Sequence, residues 1–400
     1  MRHHGTLAAT ADVFPPTAAA VSLRLAAIRP ADYARTRNAL NGAVTRLSPY
    51  LTHGFITLPN AYAEVIAKHR MDPQHKLVYE FGWREFFHHV WAYHGDKIFT
   101  SLHQGLLPDD AYTDAMPADI LEGRTGIPVI DNAVRALYTT GYLHNHVRMW
   151  LASYVVHLRK VYWRAGADWL YAHLLDGDLA SNHLSWQWIA ATSSSKPYLF
   201  NADNVAKYAP DAWHSAGTAI DATYEKLDAV ARTRRPIAAT TTAAAHPVVE
   251  PALLTNPPAA LYFSVPDGAS VTGRDVWLVH PWALHEPPVD LPADVLIIAV
   301  VLSPWHVLRP WSEARWHFVG TRQRELASHC WAGDADALRL ALAGARSVGA
   351  NADPHYGDML SKLHEGITLR PVPRLFQPVA RVCDSFSQWW RSTRLDLRQD

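Results

Sequence analysis

Apolar positions in the first half of the chain recur at helical spacing. Ile130, Ala133, Val134, Leu137 and Tyr138 share one helix face, and Val78 to Tyr93, Val129 to Thr140, Leu143 to Arg164 and Asp168 to Leu175 are long segments without proline. Gly95, Gly141, Gly166 and Gly177 stand where these segments are expected to end, because a left-handed cap favours glycine. The period changes in the last third. "DVWLVH" (Asp275 to His280) and "VLIIAVVL" (Val295 to Leu302) are short β-branched runs, each followed by a proline-containing turn, and read as buried strands. Ser312 to Ser328 then reads as a helix with Ser312 as N-cap and Glu313 in the first turn. An Ala-, Thr- and Pro-rich stretch without periodicity separates the two regions. The expected organisation is a helical domain over 1–229, a linker over 230–259 and a small α/β domain over 260–400.

The bulk properties narrow the class. A chain of 400 residues is long enough for two domains, at roughly 150 residues each. Charged residues make up 18% and apolar ones 49%, which suits a well-buried globular protein rather than extended disorder. The 37 Lys and Arg are balanced by 37 Asp and Glu, so any nucleic-acid contact needs a local patch rather than bulk charge. Cys330 and Cys383 are too few for a disulfide framework or a four-thiolate iron–sulfur cluster, and a reducing, cytoplasmic setting is expected. Met1 to Pro16 lacks the apolar core of a secretory signal. The longest apolar run is far below the roughly 20 residues that span a bilayer, so a soluble protein with no membrane partner is expected.

Sixteen tryptophans are heavy use of the largest side chain, and core packing is the ordinary explanation for each. Trp163, Trp169, Trp186 and Trp188 nevertheless flank one acidic turn in "LLDGDLASNHLSWQW" (Leu174 to Trp188), and closely spaced rings can pass an electron as well as fill space. Asp176 and Asp178 bracket Gly177, so one carboxylate ends a helix and the other caps the next. A solvated loop and a Ca²⁺ site are alternatives, but apolar flanks and the lack of further oxygen ligands argue for burial and against a metal. A buried Asp needs a cation, and Arg148 in "HNHVRMW" is the natural candidate. Ser48-Pro49, within "TRNALNGAVTRLSPYLTHG", reads as hydroxyl N-cap and first helical residue. It offers either a phosphate site or an ordinary helix cap.

"TRLSPYLTHG" (Thr45 to Gly54), "YEFGWREFFHH" (Tyr79 to His89), "GRTGIPVIDNAVRAL" (Gly123 to Leu137), "GYLHNHVRMWLASY" (Gly141 to Tyr154) and "LLDGDLASNHLSWQW" together resemble the FAD-binding domain of the DNA photolyase and cryptochrome family, in order and near spacing. The resemblance covers about half the chain. It implies a mainly α fold class: an all-helical FAD-binding domain followed by a smaller, Rossmann-like, antenna-like α/β domain. It also implies a bent FAD with its diphosphate on Thr45, Arg46, Leu47 and Ser48, helped by Tyr33 and Arg84. Asp176, Gly177 and Asp178 would lie under the isoalloxazine ring, with Asp176 paired to Arg148. Asn182 falls where photolyases tend to carry an Asn facing flavin N5, and a neutral amide suits the reduced, anionic cofactor of repair better than that of signalling.

Family members that split cyclobutane pyrimidine dimers use a Glu, a Trp, an Asn, a Met and a second Trp, matched by Glu80, Trp83, Asn145, Met149 and Trp188. Enzymes for (6-4) photoproducts resemble one another in placing histidines where Asn145 and Met149 stand. The implied activity is that of a deoxyribodipyrimidine photo-lyase, a carbon–carbon lyase acting on single- or double-stranded damaged DNA, with a light-sensing protein without repair as the alternative and a monomer expected. Trp186 and Trp163, 23 residues apart, match the inner and middle members of the family's electron relay, whereas near Asp110 only Tyr112 is aromatic. The family's antenna domain usually precedes the FAD domain, yet Tyr33 is close to the start. The segment from Ala293 to Ala327 is similar to part of that antenna, so an antenna-like domain is expected to follow, its second chromophore unassigned.

Overall fold

The structure is a computed structural model and describes residues 13–238 and 247–396. The principal helices of the first part are α1 (Ala18–Ala26), α2 (Pro30–Thr36), α3 (Ser48–Thr52), α4 (Leu58–Ile66), α5 (Lys76–His94), α6 (Pro128–Thr140), α7 (Asn145–Ser153), α8 (Trp163–His173), α9 (Leu179–Ala190), α10 (Ala202–Tyr208) and α11 (Tyr224–Ala231). None of the described helices is long and apolar enough to cross a membrane.

Local chemistry explains the ends. Pro128 begins α6 and Gly141 ends it in the left-handed conformation, φ 64°. Three expectations are corrected. Gly166 does not end a helix but lies inside α8, where a Cβ would come within 2.4 Å of the Trp186 ring. Leu143 to Arg164 is not one helix: α7 runs into a π-type turn at Tyr154–Leu158, and the chain reverses at Lys160, φ 55°. The Lys160 ammonium donates to the carbonyls of His157, Val230 and Ala231, so one buried cation satisfies the ends of two helical segments. Ser48 is not the N-cap of α3; Leu47 holds that place without a side-chain cap, and Ser48 is the first helical residue.

The second part contains β1 (Asp275–Val279), β2 (Leu296–Leu302), α12 (Glu313–Leu326), β3 (His329–Gly333), α13 (Ala335–Leu342), β4 (Ser347–Asn351), β5 (Thr368–Arg370) and α14 (Phe386–Ser392). Ser312 caps α12 by accepting from the Arg315 N–H. The strands form one parallel sheet in the order β3-β2-β1-β4-β5. The order reverses between β1 and β4, and in doubly wound sheets the crevice beyond the carboxyl ends of such a pair is the usual ligand site.

Burial does not divide where the periodicity changes. Phe14, Tyr50, Phe55 and Val78 share one buried cluster with Val279, Val300, Trp311 and Phe318, while a second cluster gathers Ile130, Trp150, Trp163 and Leu227. Of the expected linker, residues 239–246 lie outside the described residues. From residue 247 onward the chain runs along the helices: the Val248 N–H donates to Glu122 O, and Glu250 pairs with His173 at 2.8 Å.

After β5 the chain returns to α5. Glu85 accepts the backbone N–H groups of Leu375 (2.6 Å) and Phe376 (3.3 Å), Phe386 stacks on Trp83 at 4.1 Å and 10°, and Trp390 covers Tyr79 at 4.3 Å. Burial pushes the Glu85 carboxyl up to about 7, against the lowering effect of those two N–H groups. The folded chain therefore holds a proton that the unfolded chain has lost above the ordinary Glu range. Stability from this group is complete at low pH and falls as pH rises toward 7. Thermal melts of the native protein and Glu85→Gln should show the native protein losing Tm relative to the variant between about pH 4.5 and 7; parallel curves would reject a raised Glu85.

Candidate functional site

A cavity of about 570 Å³ opens among α2, α3, α5, α7 and α9, within the range of sites for drug-sized and cofactor-sized ligands. Its walls bring together Tyr33, Thr45, Arg46, Ser48, Glu80, Trp83, Arg84, Asn145, Arg148, Met149, Asp176, Asn182, Trp186 and Trp188. Of the expected site residues, Leu47, Trp163, Gly177 and Asp178 are not on the wall. Leu47 is packed into the core behind α3.

The floor is polar and enclosed. Arg148 on α7 meets Asp176 at 2.8 Å and holds the chain through Leu143 O. Asp176 is buried, and its second carboxylate oxygen has no partner among the described residues; neither has the buried Ser181 hydroxyl. Both residues line the cavity. Orphaned buried polar atoms are costly, so a polar ligand would complete this floor. Asn182 donates through Nδ2 to Ala167 O at 2.8 Å, which leaves its amide oxygen for the cavity. Arg46 sits at φ 51°, an unusual conformation for a side chain that borders a pocket.

Asp178 faces the other way. One oxygen caps α9 by accepting the Ser181 N–H at 2.7 Å, and the other meets His88 at 2.9 Å, His355 at 3.7 Å and Arg84 at 3.8 Å. Burial alone would raise its pKa, yet these cationic and imidazole neighbours hold it well below the usual carboxylate range. Gly177 lets Arg315 approach: a Cβ there would come within 2.5 Å of the guanidinium. His88, His355 and Arg315 went unassigned in the sequence. His88 stands inside a recognised motif, while the other two come from the far end of the chain and leave no local signal.

The mouth is open and aromatic. Trp188 is 41% exposed, and Trp83 and Asn145 reach the rim. Asn145 and Met149 touch at 3.6 Å across one turn of α7. Glu80 lies 3.6 Å from Arg37, and burial raises its carboxyl although Arg37 opposes the shift. Trp186 is buried against Gly166. Trp163 lies behind the wall with its indole N–H on Ser101 Oγ at 3.0 Å, beside a small void bordered by Tyr112 and Tyr162. Among the described residues no cluster of His, Cys, Asp and Glu is arranged to hold a metal.

This arrangement of a helical cavity, a polar floor and an aromatic rim corresponds to a known domain class. Residues 77–225 match the family model "FAD binding domain of DNA photolyase", and over that stretch the chain is similar to photolyases and cryptochromes. It is 39% identical over 130 residues to the deoxyribodipyrimidine photo-lyase of Escherichia coli K12, covering 30% of this chain and 26% of that one. It is 33% identical over 168 residues to the cryptochrome DASH of Synechocystis, covering 40% and 34%. A crystal structure of a Synechocystis cryptochrome aligns with TM-score 0.42 and 30% identity, over 48% of this chain and 42% of that one. The chain thus spans about a quarter to a third of the length of these two curated relatives.

Removing Arg148 leaves the buried Asp176 without its cation. Arg148→Met should cost about 3 kcal/mol of stability, and Arg148→Met combined with Asp176→Asn should cost clearly less than the two single losses summed, as read by urea denaturation. Strict additivity would show that the pair does not interact.

Proposed function

We propose that the cavity holds FAD and that the protein is a light-driven DNA-repair enzyme acting on cyclobutane pyrimidine dimers. The observation that carries this reading is the single cavity wall that unites the polar floor of Asp176, Arg148 and Asn182 with the rim of Glu80, Trp83, Asn145, Met149 and Trp188. The residues fit the cofactor: Thr45, Arg46 and Ser48 supply hydroxyl and cationic groups for a diphosphate, and the unpartnered Asp176 and Ser181 oxygens await polar edges of a ring system. Bound FAD in its reduced form would supply one electron to the lesion under light and take it back once the dimer has split.

The chain's own residues would do the rest. A dimer in duplex DNA must leave the stack to reach the cavity, at a cost of a few kcal/mol that its weakened pairing reduces. Trp83 and Trp188 would hold the flipped bases, with roughly 1–3 kcal/mol of stacking per base. Asn145 and Glu80 would grip the carbonyl and N–H edge. Glu80, at the rim and 3.6 Å from Arg37, would stand where a carbonyl gains negative charge. Asn182 would meet the ring with a neutral amide, and Trp186 on the cavity wall would be the inner member of an electron relay, with Trp163, beside Tyr112 and Tyr162, the next.

A blue-light receptor without repair is the second reading, favoured by relatives that are named cryptochrome DASH. The two separate in one experiment. The purified, reduced holoprotein is illuminated with dimer-bearing oligothymidylate, and recovery of intact thymine is followed by ultraviolet absorbance. Repair is expected, and Glu80→Ala should lower its yield at least about tenfold while flavin remains bound. Absence of repair by a flavin-loaded native protein would leave only the receptor reading.

A further inference from the structure

The crevice at the carboxyl ends of β1 and β4, the usual ligand position in a sheet of this order, is filled by the chain itself. His280, Trp282, His355 and Tyr356 occupy it, all nearly or fully buried, with Trp282 stacked on His355 at 4.5 Å and 5°. Above them lies the acidic turn between α8 and α9. Arg315 of α12 is fully buried and enters that turn from below, donating to Gly177 O and, at 2.9 Å, to Tyr171 O. Its guanidinium is sandwiched by Trp311 at 4.0 Å and Tyr171 at 4.7 Å, and its Nε donates to His53 at 3.4 Å. His53 is kept neutral by burial and by Arg315, with its other ring nitrogen on Pro281 O at 2.6 Å. His355 reaches the turn as well: Nε2 accepts the Leu179 N–H at 3.4 Å and stands 3.7 Å from Asp178, while Nδ1 meets Asp353 at 2.7 Å.

We infer that the α/β half is an electrostatic seat for the cofactor turn, with Arg315 and His355 as positioning residues that set how tightly FAD is held and at what potential it is reduced. This inference rests on the flavin reading of the cavity. A residue that only filled space would not need a buried guanidinium, whose desolvation is severe. Here the charge is spent on one carbonyl of the turn, that of Gly177, and one in the last turn of α8, that of Tyr171, and it lies close enough to Asp176 and Asp178 to feel both carboxylates. Asp176 is shared between the two faces: one oxygen is held by Arg148, and the other is left toward the cavity. The turn is therefore held from both sides, at the Asp176 carboxylate by Arg148 of α7 and at the next residue's carbonyl, that of Gly177, by Arg315 of α12. The geometry also gives the sheet a role that needs no second ligand, since its switch-point crevice is closed by Trp282 and His355.

The test uses the full chain loaded with FAD. Arg315→Met removes the charge, Arg315→Lys keeps it but cannot reach both carbonyls, and His355→Gln keeps a polar group while removing the imidazole. Arg346→Met, at the opposite end of the sheet where Arg346 pairs with Asp275, serves as a distant control. FAD affinity is read from fluorescence of released flavin, the midpoint potential from spectroelectrochemistry, and folding from circular dichroism. Arg315→Lys and His355→Gln should fold yet bind FAD about 10–100-fold more weakly, the range seen when outer-shell partners of a bound metal are changed. Arg315→Met, if folded, should shift the potential to more negative values, whereas Arg346→Met should match the native protein. Folded Arg315→Lys and His355→Gln with native affinity and native potential would overturn the inference while leaving the flavin reading intact. A native chain that takes up no FAD would overturn both.

Discussion

Two carboxylates separated by a single residue, Asp176 and Asp178, are both buried. Neither could stay ionised there without compensation, because an uncompensated buried charge costs several kcal/mol. The compensation comes from separate stretches of chain: Arg148 from α7, Arg84 and His88 from α5 and Arg315 from α12, while His355, from the turn after β4, packs against the turn and accepts the Leu179 N–H. Much of the architecture is the consequence. Helices α5 and α7 must flank the turn, and the carboxyl edge of the sheet must lie beneath it. The buried core accordingly runs from the first helices into the strands without a break.

The same turn separates two chemical environments. Toward the cavity, Asp176, Ser181 and Asn182 present oxygens to an enclosed floor; away from it, Asp178 is fully engaged by its neighbours. Outward from the floor, the walls become aromatic and solvent-accessible through Trp83 and Trp188. A site that keeps charge deep and aromatic surface at the rim is suited to a polar cofactor below and a stacked base above. The chain end contributes to that rim, since the segment anchored on Glu85 puts Phe386 flat against Trp83. Trp83 is thereby held between its own helix and a residue three hundred positions away in sequence.

The cavity-facing residues were legible because they sit in short motifs whose partners are local. Asn145 and Met149 are one helical turn apart, and Asp178 caps the helix that carries Asn182. The aim of the side chains was less legible. Asp178 and Gly177 were expected on the cavity and lie behind it, because their orientation depends on Arg315 and His355, which no nearby residue announces. Ser48 was expected to cap α3, but Leu47 takes that place and frees the Ser48 hydroxyl for the cavity wall. Gly166 resembles a stop signal in the local sequence, yet it is a seat for Trp186 inside α8.

Sequence alone determined the elements with strong local causes: helices set by a 3.6-residue apolar period and by proline and glycine at their ends, strands set by β-branched runs, and the motifs that mark the FAD-binding domain. Tertiary structure decided what those elements do to one another. It joined both halves in a shared core, closed the switch-point crevice of the sheet with Trp282 and His355, and placed Arg315 under the acidic turn. The physical reason is range. Caps and periodicity act over a few residues, whereas the neutralisation of buried charge acts through space, between groups that only the folded chain brings together.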